Sequence, residues 1–183
     1  MRNSRFGNYE FAIVVEDFDP LTPFGDSQLL LGLEGPGWRI GGDAYETVGV
    51  IVPNLVEFGR TGAIRHWGSF AGALSAEGVM ARVESFVFAE SGSRRAWGWE
   101  ASSALHRYVL SSLFDANLGT ARVVAVRSRK YETIVVKSYD GTVEAHNVPV
   151  STFDAAIAAL SDWTADAESR MGAVSLGDDA SDG

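Results

Sequence analysis

"TIVVKSYDGTVEAHNV", Thr133 to Val148, reads as two strands folded about a turn. Apolar and polar residues alternate on both sides of Asp140-Gly141, the period of a half-buried strand. That dipeptide suits a two-residue type I′ turn, whose central positions both need positive φ. Folding about it sets Lys137 opposite Glu144 and Val135 opposite His146, with Ile134, Val136, Val143 and Ala145 on the other face. The preceding "ARVVAVR" adds a third strand, turning near Arg129 and Lys130, so residues 121–148 are expected to form an antiparallel meander.

Working outward, a helix is expected on each side of the meander. The first spans Glu100 to Phe114, with Ala101, Ala104, Leu105, Tyr108, Val109 and Leu113 on one broad face. The second follows Ser151 or Thr152 as N-cap and repeats Phe153, Ala156, Ile157, Leu160 and Trp163 at helical spacing. From about Ala165 the chain becomes small and acidic, ending "GDDASDG", so residues 165–183 are expected to be a disordered tail on a single domain of residues 1–164.

Toward the N-terminus, "NYEFAIVVEDF" (Asn8 to Phe18), "SQLLLGLE" and "AYETVGVIVPN" carry the β-branched and aromatic content of strands, the last closed by Pro53. "GPGWRIGGD" reads as a turn-rich connection, and residues 54–74 as a long ordered loop or short strands. Glu77 to Glu90 reads as a strand, with Val79, Ala81, Val83 and Val87 on one face. The sum is an α+β fold, a mostly antiparallel sheet of five to seven strands with two helices.

The 183 residues contain no cysteine, which excludes disulfides, thiolate metal sites and cysteine nucleophiles. No apolar run approaches a membrane span, and the first residues lack a secretory segment, so the expected place is the cytoplasm of the host cell or a particle assembled there. A net charge of −9 argues against nucleic acid as an obligate partner. Charge is unevenly spread: residues 1–60 carry −5, residues 61–130 carry +4 and residues 131–183 carry −8. The basic middle, with Arg94, Arg95, Arg122, Arg127, Arg129 and Lys130, suits an acidic surface on a partner or on the chain's own ends.

Catalytic signatures fail one by one. His66, His106 and His146 are isolated, without metal-ligand spacing, and no metal or cofactor is expected. Glu16, Asp17 and Asp19 offer oxygen donors but suit a solvated turn before Pro20. "GLEGPGWRIGGD" puts Ile40 where the third glycine of a dinucleotide fingerprint belongs, and "HWGSFAG" is not a nucleophile elbow. No catalytic residue is assigned.

"SRRAWGWEASSALHRYVLSSLF" remains. Leu110 and Phe114 lie off the main face of the expected helix, and Arg94, Arg95, Trp97, Trp99 and Arg107 are residue types common in binding hot spots. These seven form the expected partner-binding site, for a protein partner or a second copy of the chain. The expected function is a non-enzymatic structural or interaction protein, a subunit of a larger assembly such as a phage virion. Secretion-machine components and immunity-type binders fit the same description. The alternative is a small enzyme or ligand-binding domain built from Glu16–Asp19, His66 and Arg94–Arg95.

Overall fold

The structure is a computed structural model and describes residues 3–21, 23–62, 75–85, 109–110 and 122–178, with side chains described as far as residue 171. It holds two antiparallel sheets and three helices. Strands β1 (Ser4–Gly7), β2 (Ala12–Asp19), β3 (Gln28–Gly35) and β4 (Trp38–Thr47) form the first sheet in chain order. Strands β5 (Arg122–Arg127), β6 (Tyr131–Lys137) and β7 (Val143–Pro149) form the second. The helices are α1 (Val48–Arg60), α2 (Ala76–Val83) and α3 (Val150–Asp178). The α+β class stands, while the expected single sheet with two helices is replaced by two sheets with three.

The meander forms, but one residue out of the expected register. Lys137 pairs with Val143 and Ile134 with His146. The hairpin closes through Ser138 and Thr142, with Gly141 at φ 89 and the Ser138 N–H donating to the Thr142 carbonyl at 2.9 Å. This is the longer loop in which only the last residue is left-handed. One extra loop residue moves every side chain of β7 to the opposite face, so His146 joins Ile134 and Val136 on the core side.

Both faces of this sheet are covered. Val123, Ala125, Ile134, Val136 and Val148 face the main core, while Val124, Val126 and Val135 pack on Val79, Met80 and Val83 of α2. The expected strand over 77–90 is therefore a helix as far as Val83. Ser75 accepts the Gly78 N–H as its N-cap, and Val79, Met80 and Val83 recur at helical spacing. The expected strand closed by Pro53 is corrected in the same way. β4 ends at Thr47, and Val48, Ile51, Val52, Leu55 and Phe58 make one buried stripe on α1, with Pro53 inside the helix. Burial of that stripe outweighs the strand preference of its β-branched residues.

The expected face of α3 is the observed one: Phe153, Ala156, Ile157 and Leu160 are buried, with Trp163 partly so. The helix then runs on to Asp178 instead of stopping near residue 165. Two aromatic series tie it to the sheets. Phe153 stacks on Phe11 (5.2 Å), Phe11 meets Trp38 (6.2 Å), and Trp38 stacks on His146 (4.6 Å), a path from α3 through the first sheet into the second. Trp163 lies between Phe6 (5.6 Å) and Phe18 (5.1 Å).

The third tie is ionic. Arg127 on the core side of β5 donates through Nε to Glu132 of β6 (2.5 Å) and through both Nη atoms to Asp154 of α3 (3.1 and 2.6 Å). Its guanidinium sits 5.8 Å from the Phe153 ring centroid. Glu132 is fully buried, and a side chain at Gly62 would strike the guanidinium. The basic middle of the chain thus meets the chain's own acidic C-terminal part at this point. On the far side Arg122 and Lys137 share Glu84, whose burial is outweighed by the two cations that hold its carboxyl below the usual range.

Removing one partner of a buried ion pair strands the other, at a cost of about 3–5 kcal/mol, while an exposed pair contributes about 0–1 kcal/mol. Arg127→Met is therefore expected to lower the unfolding free energy measured in urea by about 3–5 kcal/mol, against less than about 1 kcal/mol for Arg122→Met. Equal losses would mean that the Arg127 cluster adds nothing beyond a surface contact.

Candidate functional site: the outer face of the four-stranded sheet

The inner face of the first sheet carries Ile13, Val15, Leu29, Leu31, Leu33 and Ile40, all in the core. Its outer face follows from the register. Arg5 opposes Val14, Ala12 opposes Glu34, Glu34 opposes Arg39, Glu16 opposes Leu30, and Leu30 opposes Tyr45. Opposed residues point to the same side, so Arg5, Glu34, Arg39, Glu16 and Tyr45 stand together on the side away from the core.

These side chains are tied in pairs. Arg5 contacts Glu34, and the Tyr45 hydroxyl donates to Asp17. Arg39 donates through Nη1 and Nη2 to the two Glu16 carboxylate oxygens at 3.3 and 2.6 Å. The Arg39 bond holds the Glu16 carboxyl below its usual range, and the bond to Asp17 holds the Tyr45 hydroxyl above its own. Two glycines give Arg39 its place: a Cβ on Gly42 would lie 2.6 Å from Nη2, and one on Gly32 3.3 Å from Nε. Gly42 also stands at φ 85, a conformation that glycine takes without strain.

Asp17 is held at φ 48 inside an irregularity of β2 between Glu16 and Asp19. That break turns Asp17 toward Tyr45, and Tyr45 remains 49% exposed. Asp43 adds a further negative charge near Arg39, and Asp19 one near Tyr45. The face thus combines a sheet surface, arginine and tyrosine held by carboxylates, and an acidic rim. Among the described residues no three His, Asp or Glu side chains are placed to hold a metal ion, and no helix is long and apolar enough to cross a membrane.

Of the seven residues expected to bind a partner, Leu110 alone lies within the described residues. It is fully buried in the main core, its N–H donates to the Val123 carbonyl at 2.9 Å, and Val109 bridges Val124. Those two residues lie beside β5, one in an isolated bridge and the next in a bend, not in the expected helix, and Leu110 is covered by its own polypeptide. Arg94, Arg95, Trp97, Trp99, Arg107 and Phe114 lie outside the described residues, as do His66 and the rest of the expected 100–114 helix. Of the alternative site, Glu16, Asp17 and Asp19 stand on the outer face just described. Sequence reasoning missed Arg5, Glu34, Arg39 and Tyr45. Their signal was cross-strand pairing, readable only once the register is known.

No family model and no curated protein matches the chain. Among solved structures, the crystal structure of CdiI from Burkholderia dolosa AUO158 is similar at 14% identity, with a TM-score of 0.48, covering 86% of this chain and 97% of that one. The expectation of an assembly subunit such as a phage virion component is corrected on the structure itself. Of the two side chains that had to lack cover, Leu110 is enclosed by its own polypeptide, and Phe114 lies outside the described residues.

The Arg39–Glu16 pair gives a direct test of the face. Arg39→Gln is expected to move the Glu16 carboxyl titration, followed by NMR, upward toward the ordinary glutamate range. A carboxylate with a depressed folded pKa adds stability above its unfolded pKa and loses it as pH falls through the folded one, so the variant is expected to lose less stability than the parent below about pH 4.5. An unmoved Glu16 titration would show that Arg39 does not hold this carboxylate in solution.

Proposed function

We propose that this chain is a protein-binding module that takes one basic protein onto the acid-rimmed outer face of its four-stranded sheet and blocks it, as an immunity-type inhibitor does. The observation that supports this reading most is the tethering of hot-spot residue types on that face: Arg39 clamped to Glu16, and Tyr45 clamped to Asp17. Side chains already fixed in the free protein lose little freedom on binding, which leaves more of the contact energy as affinity. Arginine and tyrosine are also the types that most often dominate interface energetics.

Charge supplies the partner's chemistry. A chain of net charge −9 with Asp17, Asp19 and Asp43 rimming the face attracts a cationic surface and accelerates its encounter. Four strands about 4.8 Å apart and about 25 Å long give a projected area near 500 Å². With side-chain relief, that approaches the roughly 800 Å² that one partner contributes to a standard interface.

The test uses the tagged full chain and cells of its own source. A protein captured by the parent is identified, purified and titrated against the parent and against the triple variant Asp17→Asn, Asp43→Lys, Tyr45→Ala. Asparagine tolerates the left-handed conformation at position 17. The expected result is a basic protein in a one-to-one complex by native mass spectrometry, bound at least about 30-fold more weakly by the variant. An affinity unchanged by the variant, or a complex that grows into an array, would overturn the proposal.

A further inference from the structure

Helices α1 and α3 touch where a Cβ on Gly59 would lie 3.1 Å from Ile157. Beside that contact lie two hollows, of about 350 Å³ and about 560 Å³, which share Val56 and Ser161. The two lie end to end along α1 from Val48 to Arg60, about 18 Å at 1.5 Å per residue, and are treated together as one groove. Its floor is apolar, from Val52, Val56 and Ile157, and small residues such as Ala158 and Ala165 line it.

We infer that this groove receives an amphipathic helix with an apolar stripe and basic flanks, supplied by a partner. The shape limits the choice. The lining comes mainly from α1 and α3, with Phe24 and Gly25 at one end and the Arg127 side chain at the other; helices keep their backbone hydrogen bonds internal, so an added strand would find no ladder along them, whereas a helix laid in by its apolar face needs none. The length matches a helix of about 12 residues.

The charge selects the sign. Asp162 lines the groove and Glu168 stands at its other end, both exposed on α3. The cations nearby are already held: Arg60 by Glu57 at 2.7 Å, and Arg127 by Glu132 and Asp154. The rim is therefore negative and matches lysine or arginine on the incoming helix. It repels the exposed part of α3 in a second copy, which carries Asp166 and Glu168 against Arg170. The groove is a different surface from the sheet face and does not depend on the reading given to that face.

The test uses two labelled 14-residue helical peptides with the same leucine stripe, one flanked by lysine and one by glutamate, followed by fluorescence anisotropy with the full chain. The lysine peptide is expected to bind one-to-one and at least about tenfold more tightly than the glutamate peptide. Val56→Arg fills the groove, and Asp162→Lys with Glu168→Lys reverses its rim on exposed positions that do not disturb folding. Each is expected to weaken the lysine peptide about tenfold, while Asp43→Lys on the sheet face changes it less than about twofold.

Equal binding of both peptides, or binding that survives the groove variants, would overturn the inference. Binding lost with Asp43→Lys would place the peptide on the sheet face and overturn it too. A chain that sediments alone as a dimer, split by Val56→Arg, would mean that a second copy fills the groove. An apolar dye that Val56→Arg displaces where the lysine peptide cannot bind would mean a small ligand.

Discussion

Arg127 holds the molecule's parts in register. It is the one described residue whose side chain bonds to a neighbouring strand and to α3 at once, satisfying the fully buried Glu132 and the Asp154 carboxylate that begins the α3 face. A buried carboxylate without such a partner costs several kcal/mol, about as much as a domain's whole margin of stability. The position of Asp154 fixes that of Phe153, and Phe153 starts the stack through Phe11 and Trp38 to His146. One ionic contact thereby sets where the helix enters, and the aromatic series carries that placement to both sheets.

The functional surfaces follow from what this arrangement uses up. The inner face of the first sheet and both faces of the second are committed to packing. Among the described residues, what stays open is the outer face of the first sheet, where Arg39 and Tyr45 are tethered to carboxylates, and the groove beside the α1–α3 contact. Both are acidic, in keeping with a chain of net charge −9 whose cations at the groove and on the second sheet are drawn into internal pairs. A protein built this way presents negative surfaces whose side chains are already held in place.

The legible parts of the fold were those in which local pattern and final packing agree. The buried face of α3 could be read from Phe153, Ala156, Ile157 and Leu160, and the turn near Arg129 and Lys130 from the strands around it. Helices α1 and α2 were misread because Val48, Ile51 and Val52, or Val79 and Val83, satisfy a strand pattern as well as a helical stripe; only the core they face decides between the two. The hairpin register slipped because Asp140-Gly141 suits two loop lengths, and the extra residue shows only in hydrogen bonding. The sheet face was illegible for a related reason. Arg39 reaches Glu16 through an irregularity in β4 and the missing side chains of Gly32 and Gly42, none of which a single sequence displays as a contact.

Hydrogen–deuterium exchange of the free chain and of its complex with the basic partner tests the central claim most directly. Added protection is expected in β2, β3 and β4, with the β6–β7 hairpin near Asp140 unchanged. Protection confined to that hairpin or to α2, with β2 to β4 exchanging as in the free chain, would contradict it.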